Sequence, residues 1–260
     1  MKRLLIFLYG AASYLVFFAT FLYAVGFIGN FAVPKSLDSP RDVGLGNALL
    51  VDLGLLALFA VQHSVMARPA FKRWWTRFIP GAAERSTYVL FSSLALILLF
   101  YYWQPLGGSI WEMTASAAIT TMTVLYVAGW ALLLYVTFLI DHFDLFGLRQ
   151  VWFELRRKPY VPVPFVTPWL YRQVRHPLYV GWLMIVWATP SMTVTHALFA
   201  GLCTAYILVA VRFEERDLIR FHPEYAEYRK RVPMLLPLRR GTNVPEGPAA
   251  TTPNLHGVER

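Results

Sequence analysis

The sequence has little charge and almost no cysteine. Only 15% of its residues are charged, whereas 57% are hydrophobic and 16% are aromatic. This balance is too apolar for an ordinary soluble domain and indicates a membrane protein. The one cysteine, Cys203, excludes an intramolecular disulfide and any cysteine-based metal cluster. The histidines show no metal-ligand spacing, so we predict no metal site.

Acidic residues are scarce as well. The chain has 15 Asp and Glu against 24 Lys and Arg, which gives a formal net charge of +9. The positive charges fall in short segments beside apolar runs, a pattern typical of membrane topology rather than of nucleic-acid binding. We therefore predict that the partner is a lipid bilayer and not a nucleic acid. The charge pattern leaves the oligomeric state unknown.

Several apolar runs are long enough to cross a bilayer. The predicted spans are residues 4–28, 46–66, 86–103 and 116–140, followed by a hairpin with arms at 178–189 and 192–211. The predicted fold class is all-α, a polytopic integral membrane protein with about five to six transmembrane helices that include this C-terminal helical hairpin. The first arm reaches roughly 18 Å, short of the ~30 Å hydrocarbon core. Either it begins earlier, near His176, or the hairpin turns within the bilayer and is shielded by other helices.

Basic residues alternate between the loops. The N-terminus, residues 67–85, residues 141–174 and the tail are rich in Lys and Arg, while the remaining loops are balanced or nearly uncharged. The positive-inside rule then places both termini in the cytoplasm, which we interpret as that of a bacterium with this protein in its inner membrane. We predict a four-helix transmembrane region at 1–140, a C-terminal region at 141–240 and a disordered tail at 241–260.

Polar residues lie at both ends of the hairpin. Arg175 and His176 precede the first arm, and Glu214 and Glu215 follow the second. Paired carboxylates where a helix leaves the bilayer are costly unless they are solvated or partnered. The hairpin returns them to the face of the cation and the imidazole, and such a cluster suits a charged small molecule. The alternative is a basic helix start with Pro177 in the first turn, and a glutamate that pairs with a nearby arginine.

An ordered set of motifs covers residues 173–237. It comprises Arg-His-Pro-x-Tyr-x-Gly from 175, Glu-Glu-x-x-Leu from 214 and Pro-Glu-Tyr-x-x-Tyr-x-x-x-Val-Pro from 223. This set resembles the C-terminal core of integral-membrane methyltransferases, which include the isoprenylcysteine carboxyl methyltransferases and the phospholipid N-methyltransferases. Residues 59–68 and 141–150 are similar to the NnrU-like branch of these enzymes, in particular to the bacterial methanethiol S-methyltransferases.

The resemblance implies an S-adenosylmethionine-dependent thiol S-methyltransferase that converts methanethiol to dimethyl sulfide, with hydrogen sulfide as a second acceptor. It implies that residues 141–240 bind the cofactor and that the partner is a small-molecule thiol. The cofactor-binding candidates flank the hairpin: Arg175, His176, Tyr179, Glu214, Glu215 and Tyr225. A glutamate suits the ribose hydroxyls or the ammonium group, the arginine suits the carboxylate, and the rings suit the adenine. For Tyr225, interfacial anchoring is an equal alternative.

Thiol methylation needs a thiolate. A thiol pKa of about 8.5 or higher means that a base or a cation must help at neutral pH. The first catalytic candidates are His142 with Asp144, and Arg149 as their electrostatic partner. The second candidate is His63, beside Gln62. A helix cap or an interhelical hydrogen bond is the alternative role for each.

Three other functions remain open. A membrane methyltransferase acting on an isoprenylated or phospholipid substrate fits, because no feature excludes a lateral lipid gate. An NADPH-dependent enzyme similar to the membrane sterol reductases would show further basic and Trp or Tyr positions after the hairpin, which are incomplete here. A non-enzymatic NnrU-like accessory or transport protein would use the polar residues to line a pathway.

Overall fold

Five long apolar helices dominate the structure, a computed structural model that describes residues 1–40, 43–163 and 166–237. All five are long and apolar enough to cross a membrane, so the predicted all-α, polytopic class is confirmed. In chain order the α-helices of the described residues are α1 (Lys2–Gly29), α2 (Leu45–Ala67), α3 (Pro69–Trp75), α4 (Glu84–Tyr102), α5 (Ser116–Leu139), α6 (His142–Leu145), α7 (Leu148–Leu155), α8 (Pro177–Trp187), α9 (Val194–Phe221) and α10 (Tyr225–Arg231). Short 3₁₀ helices cover Gly81–Ala83 and Trp169–Arg172. The predicted disordered tail, 241–260, lies outside the described residues.

Helix α9 is longer than the sequence predicts. Its membrane arm was expected to end at residue 211, but the helix continues without a break to Phe221. Glu214 and Glu215 therefore lie on one regular helix, where successive side chains point about 100° apart. Only Glu215 faces the protein interior, and Glu214 is exposed.

The hairpin is asymmetric, and a small sheet explains why. Helix α8 has 11 residues, so it reaches only about 17 Å. After its turn, strand β2 (Ser191–Thr193) pairs antiparallel with β1 (Ser109–Glu112) from the α4–α5 loop. On either side of β2, the Met113 N–H donates to the Pro190 carbonyl and the Val194 N–H donates to that of Gly108, each at 3.0 Å. The arm can end early because this loop supplies the backbone hydrogen bonds that a turn needs in an apolar setting. The sequence predicted neither strand.

Helices α5 and α8 approach each other closely at two glycines. A Cβ added at Gly129 or at Gly181 would lie 3.0 Å from the carbonyl oxygen of the other residue. Buried Trp130, Leu133 and Ile185 continue the contact on both sides. Close packing of backbone on backbone is typical of membrane helices, where small residues take the place of a hydrophobic driving force.

A buried acid–histidine pair fastens the end of the bundle where α9 begins. Asp38 Oδ2 lies 3.2 Å from His196 Nδ1, and Asp38 also accepts a hydrogen bond from the Thr193 hydroxyl. The other ring nitrogen of His196, Nε2, lies 3.0 Å from the Val186 carbonyl oxygen. Burial favours the neutral acid, but the hydrogen bonds from His196, Thr193 and Asn30 outweigh it and lower the pKa of Asp38. The α1–α2 loop is thereby joined to the hairpin turn.

The basic segments meet at the other end of the bundle. Arg3 Nε lies 3.0 Å from Glu154 Oε1, and Arg68 Nη1 lies 2.9 Å from Asp217 Oδ2. Such exposed pairs contribute little stability, but they show that the N-terminus lies beside α7 and that the end of α2 lies beside the end of α9. The polar flanks of the hairpin lie at this same end.

The α5–α8 contact predicts the effect of added bulk. Gly181→Val should lower the stability of the purified protein by about 1–3 kcal/mol, because the new side chain must displace the backbone of α5. The measurement is thermal unfolding in detergent. Gly201→Val is the matched control, since nothing lies within 4 Å of a Cβ added there. Equal melting temperatures for the two variants would contradict the close approach.

Candidate active site

Glu215 is the centre of a buried cluster of charges and donors. Its side chain is 5% exposed, and its Oε1 lies 2.8 Å from Arg175 Nε and 3.1 Å from His176 Nε2. Arg229 Nε lies 3.2 Å from Oε2, and the Tyr225 hydroxyl donates to Oε1 at 3.3 Å. We call these five residues the Glu215 hub. A buried carboxylate is tolerated when cations and donors surround it in this way.

Arg175 also holds the segment that follows α10. Its Nη1 donates to the backbone carbonyls of Arg229 at 2.6 Å and of Val232 at 2.9 Å. The backbone N–H of Arg175 donates to the Pro233 carbonyl at 2.9 Å. The guanidinium is thus bonded on several sides by the protein itself. This geometry favours a positioning role for Arg175 over direct contact with a ligand.

Glu214 points away from the protein interior, unlike its neighbour Glu215. Its side chain is 46% exposed, its Oε2 accepts a hydrogen bond from the Tyr179 hydroxyl at 2.9 Å, and the same oxygen lies 3.8 Å from His176 Nδ1. The rings of His176 and Tyr179 are 5.5 Å apart. We call Glu214, Tyr179 and His176 the Glu214 face. It offers an exposed carboxylate and the half-buried ring of Tyr179 to a ligand, with the buried His176 ring beside them.

Helices α2 and α4 carry a second polar group. The Tyr88 hydroxyl lies 2.8 Å from His63 Nε2, and the Ser92 hydroxyl lies 3.2 Å from His63 Nδ1. The Gln62 amide donates to Ser92 Oγ at 3.4 Å. We call Gln62, His63, Tyr88 and Ser92 the His63 network. The Phe59 ring stacks on the imidazole at 5.1 Å and gives the network an apolar wall.

Tyr206 of α9 connects the His63 network with the Glu214 face. Its hydroxyl lies 3.0 Å from Ser64 Oγ, so it bridges α9 to α2. The Tyr206 side chain also interacts electrostatically with those of Tyr88 and Tyr179. Both of these tyrosines interact in the same way with Glu214. The two polar groups therefore form one site between α2, α4, α8 and α9.

His142, the first candidate for the base, is enclosed by structural contacts. Its Nδ1 lies 2.8 Å from the Thr137 hydroxyl, and its Nε2 lies 2.8 Å from the Tyr14 hydroxyl. The Thr137 hydroxyl already donates to the Leu134 carbonyl, so it accepts from Nδ1–H, and Nε2 accepts from Tyr14. Burial lowers the pKa of His142 against the opposing charge of Asp141, which keeps the ring neutral at pH 7. This geometry favours a link between α1 and the end of α5.

Asp144 and Arg149 form a separate surface cluster. Arg149 Nη1 lies 3.3 Å from Asp144 Oδ1 and 3.4 Å from Asp141 Oδ2, and the Tyr160 hydroxyl donates to Asp144 Oδ1 at 2.7 Å. Burial and the Asp144 carboxylate raise the pKa of Tyr160 to about 12. The cluster borders a cleft of about 510 Å³ whose lining includes Lys72, Glu84, Arg85, Asp144, Gln150 and Tyr160. Among the described residues, no hydrogen bond joins this cluster to Glu214 or to His63.

The sequence analysis missed three residues of the site, although each carries a recognisable signal. Tyr88 and Ser92 are four residues apart and so share one face of α4, which is otherwise mostly apolar there. Tyr206 precedes Glu214 by eight residues, a spacing that again places both on one helix face. A search for polar residues at helical spacing within the apolar spans would have found them.

Comparison with known proteins identifies the family. The chain is 54% identical over 238 residues to the methanethiol S-methyltransferase of Crocosphaera subtropica, a match that covers 91% of this chain and 93% of that protein. The chain belongs to the methanethiol S-methyltransferase family. It is also 52% identical over 238 residues to the family member of Mycobacterium tuberculosis, with 91% of this chain and 98% of that protein covered. The resemblance stated from the motifs, and the methyltransferase class with it, is confirmed.

A more distant relative and two negative results complete the comparison. Nurim of Pan troglodytes is 34% identical over 191 residues, which covers 70% of this chain and 72% of Nurim. No family model matches the chain. No solved structure matches it either.

The Glu215 hub predicts a stability effect that an exposed glutamate lacks. Glu215→Gln should destabilise the protein by about 3–5 kcal/mol, because it leaves the buried guanidinium of Arg175 without its counter-charge. Thermal unfolding and limited proteolysis after α10 measure this loss. Glu227→Gln is the control, since Glu227 is exposed and, within the part of the chain that the structure describes, forms ion pairs only with Lys230 and Arg231 of its own helix. If both variants melt like the parent protein, the hub does not hold the site together.

Proposed function

We propose that this chain is an S-adenosylmethionine-dependent methanethiol S-methyltransferase that releases dimethyl sulfide, with hydrogen sulfide as a second acceptor. The observation that carries the proposal is that the Glu214 face and the His63 network meet around Tyr206, between α2, α4, α8 and α9. The first suits a charged methyl donor and the second suits a protic acceptor. The activity named for the relatives of about half-identical sequence supports the same reaction.

The residues of the Glu214 face fit the donor. S-adenosylmethionine presents an ammonium group and ribose hydroxyls, which suit the half-exposed carboxylate of Glu214. The rings of Tyr179 and His176 suit the adenine. Arg175 and Glu215 position these groups through the Glu215 hub, and Tyr225 fastens α10 to it. When bound, the donor supplies a methyl group on a positively charged sulfur.

The protein's own contribution is orientation and exclusion of water. Displacement at a methyl group requires the acceptor sulfur to lie in line with the breaking bond, and holding it there removes much of the entropic barrier. The apolar hairpin and the aromatic rings shield the site between α2, α4, α8 and α9 from water.

We propose that the basic end of the bundle faces the cytoplasm of a bacterial inner membrane, with both termini on that side. The clustering of the basic segments at one end supports this orientation through the positive-inside rule. A soluble donor then arrives from the cytoplasm. Residues 141–240 bind the donor, and the four-helix region, 1–140, selects the acceptor.

The reaction is tested by product analysis. Purified protein given methanethiol and S-adenosylmethionine should release dimethyl sulfide into the headspace, with one S-adenosylhomocysteine formed per dimethyl sulfide. Heat-inactivated protein and omission of the donor are the controls. If protein that binds S-adenosylhomocysteine forms no dimethyl sulfide but methylates an isoprenylated thiol or a phospholipid, the acceptor is a lipid and the proposal fails.

The donor site is tested by calorimetry. Glu214→Gln should weaken S-adenosylhomocysteine binding by about 10- to 100-fold, since a hydrogen bond to a charged group contributes about 1.5–3 kcal/mol. Glu224→Gln is the matched control, because this glutamate is 60% exposed beyond the end of α9 and pairs with His222. Unchanged affinity in Glu214→Gln would place the donor elsewhere.

A further inference from the structure

We infer that the His63 network is the acceptor-binding site, where a small thiol docks against Gln62 and transfers its proton through Tyr88 to His63. The inference rests on the proposed function and extends it to the acceptor. The four residues lie on α2 and α4, outside the donor motifs at the ends of the hairpin.

A buried acceptor atom without a partner points to a ligand at this place. Gln62 Oε1 is buried and has no hydrogen-bond partner among the described residues. The amide nitrogen of the same side chain is engaged by Met66 Sδ at 3.1 Å and by Ser92 Oγ at 3.4 Å. Leaving a buried acceptor unpaired costs free energy. The S–H group of a thiol is a weak donor that pairs with such an oxygen.

His63 contacts two hydroxyl groups. Ser92 Oγ accepts from the Gln62 amide, and it also accepts from His63 Nδ1–H. In that tautomer Nε2 is the acceptor, and the Tyr88 hydroxyl lies 2.8 Å from Nε2 and 3.1 Å from Nδ1. His142 differs. Its Nε2 accepts from Tyr14, and among the described residues no hydrogen bond joins Tyr14 to another polar group of the candidate site.

The surroundings of the network favour a small acceptor over a lipid chain. Phe59 stacks on the imidazole, and the Phe59 and Tyr206 rings are 6.5 Å apart. Two bridges then tie α2 to α9, from Ser64 to Tyr206 at 3.0 Å and from Arg68 to Asp217 at 2.9 Å. These contacts close α2 against the hairpin at the level of the network. Methanethiol, with one methyl group and one S–H, is a small acceptor of this kind.

The transfer balances without another reactant. The S–H group first turns about the carbon–sulfur bond from Gln62 Oε1 to the Tyr88 oxygen. The thiol proton then moves to that oxygen as the Tyr88 proton moves to His63 Nε2, and the S–H bonding pair stays on sulfur. That pair forms the new carbon–sulfur bond as the methyl–sulfur bond of the donor breaks toward the donor sulfur. The products are a thioether, a neutral donor product and a protonated imidazole, which returns its proton to water.

The test compares methanethiol with hydrogen sulfide, a smaller and more acidic acceptor, in His63→Gln. Loss of a general base should lower the rate with methanethiol by about 10²–10⁴-fold. The loss should be at least tenfold smaller with hydrogen sulfide, because it is more acidic than methanethiol and ionises without help. S-adenosylhomocysteine affinity should stay within twofold of the parent protein. His222→Gln, a histidine 39% exposed beyond α9, is the matched control and should keep both rates.

Each other outcome counts against the inference. An equal loss with both acceptors makes His63 structural, and loss of activity in His142→Gln but not in His63→Gln assigns the base to the other histidine. If His63→Gln fails to bind S-adenosylhomocysteine, Tyr88→Phe decides by the same pattern, and equal losses there overturn the relay. A parent protein that binds S-adenosylhomocysteine yet makes no dimethyl sulfide refutes the proposed function itself, before any variant is compared.

Discussion

The buried carboxylate of Glu215 is the contact on which the rest of the site depends. Its partners come from the residues that begin α8 and from α10, so one side chain of α9 joins both arms of the hairpin and the segment after it. Removing Glu215 would leave the buried guanidinium of Arg175 without its counter-charge. Because Glu215 points inward, the helix turns Glu214 outward by about 100°, where it stays open to a ligand. Two adjacent glutamates of identical chemistry thus acquire different roles.

The membrane architecture could be predicted from the sequence because it depends on local patterns. Runs of apolar residues mark the five long helices, and the distance between residue 177 and the following turn shows that α8 is short. The grouping of Arg175, His176, Glu214 and Glu215 at one end follows from the hairpin itself. These predictions need only helix geometry and the cost of charge in a bilayer.

The remaining features depend on contacts between distant parts of the chain. The β1–β2 pair joins the α4–α5 loop to the hairpin turn, and no local pattern shows that pairing. The choice between His63 and His142 depends on tyrosines from other helices. Tyr88 of α4 contacts His63 within the candidate site, whereas Tyr14 of α1 contacts His142. We ranked His142 first because polar residues are dense around it. The density of polar groups alone does not separate a structural network from a reactive one.

Helix α2 also has an exposed apolar face behind the proposed acceptor side of the site. Val61 and Val65 are exposed on this face, while Gln62 and His63 turn toward α4. The proposed donor side, in contrast, lies at the basic end of the bundle, where Glu214 is exposed. An uncharged thiol dissolves in a bilayer and a charged donor does not, so this arrangement suits two reactants that arrive from different phases.

The most direct test of this account is an experimental structure of the protein with S-adenosylhomocysteine bound. The account predicts that the ligand lies against Glu214 and Tyr179, with its sulfur directed toward Tyr88 and His63. Glu215 should keep its pairing with Arg175 and make no contact with the ligand. A ligand bound in the cleft beside Asp144, or one held directly by Glu215, would contradict it.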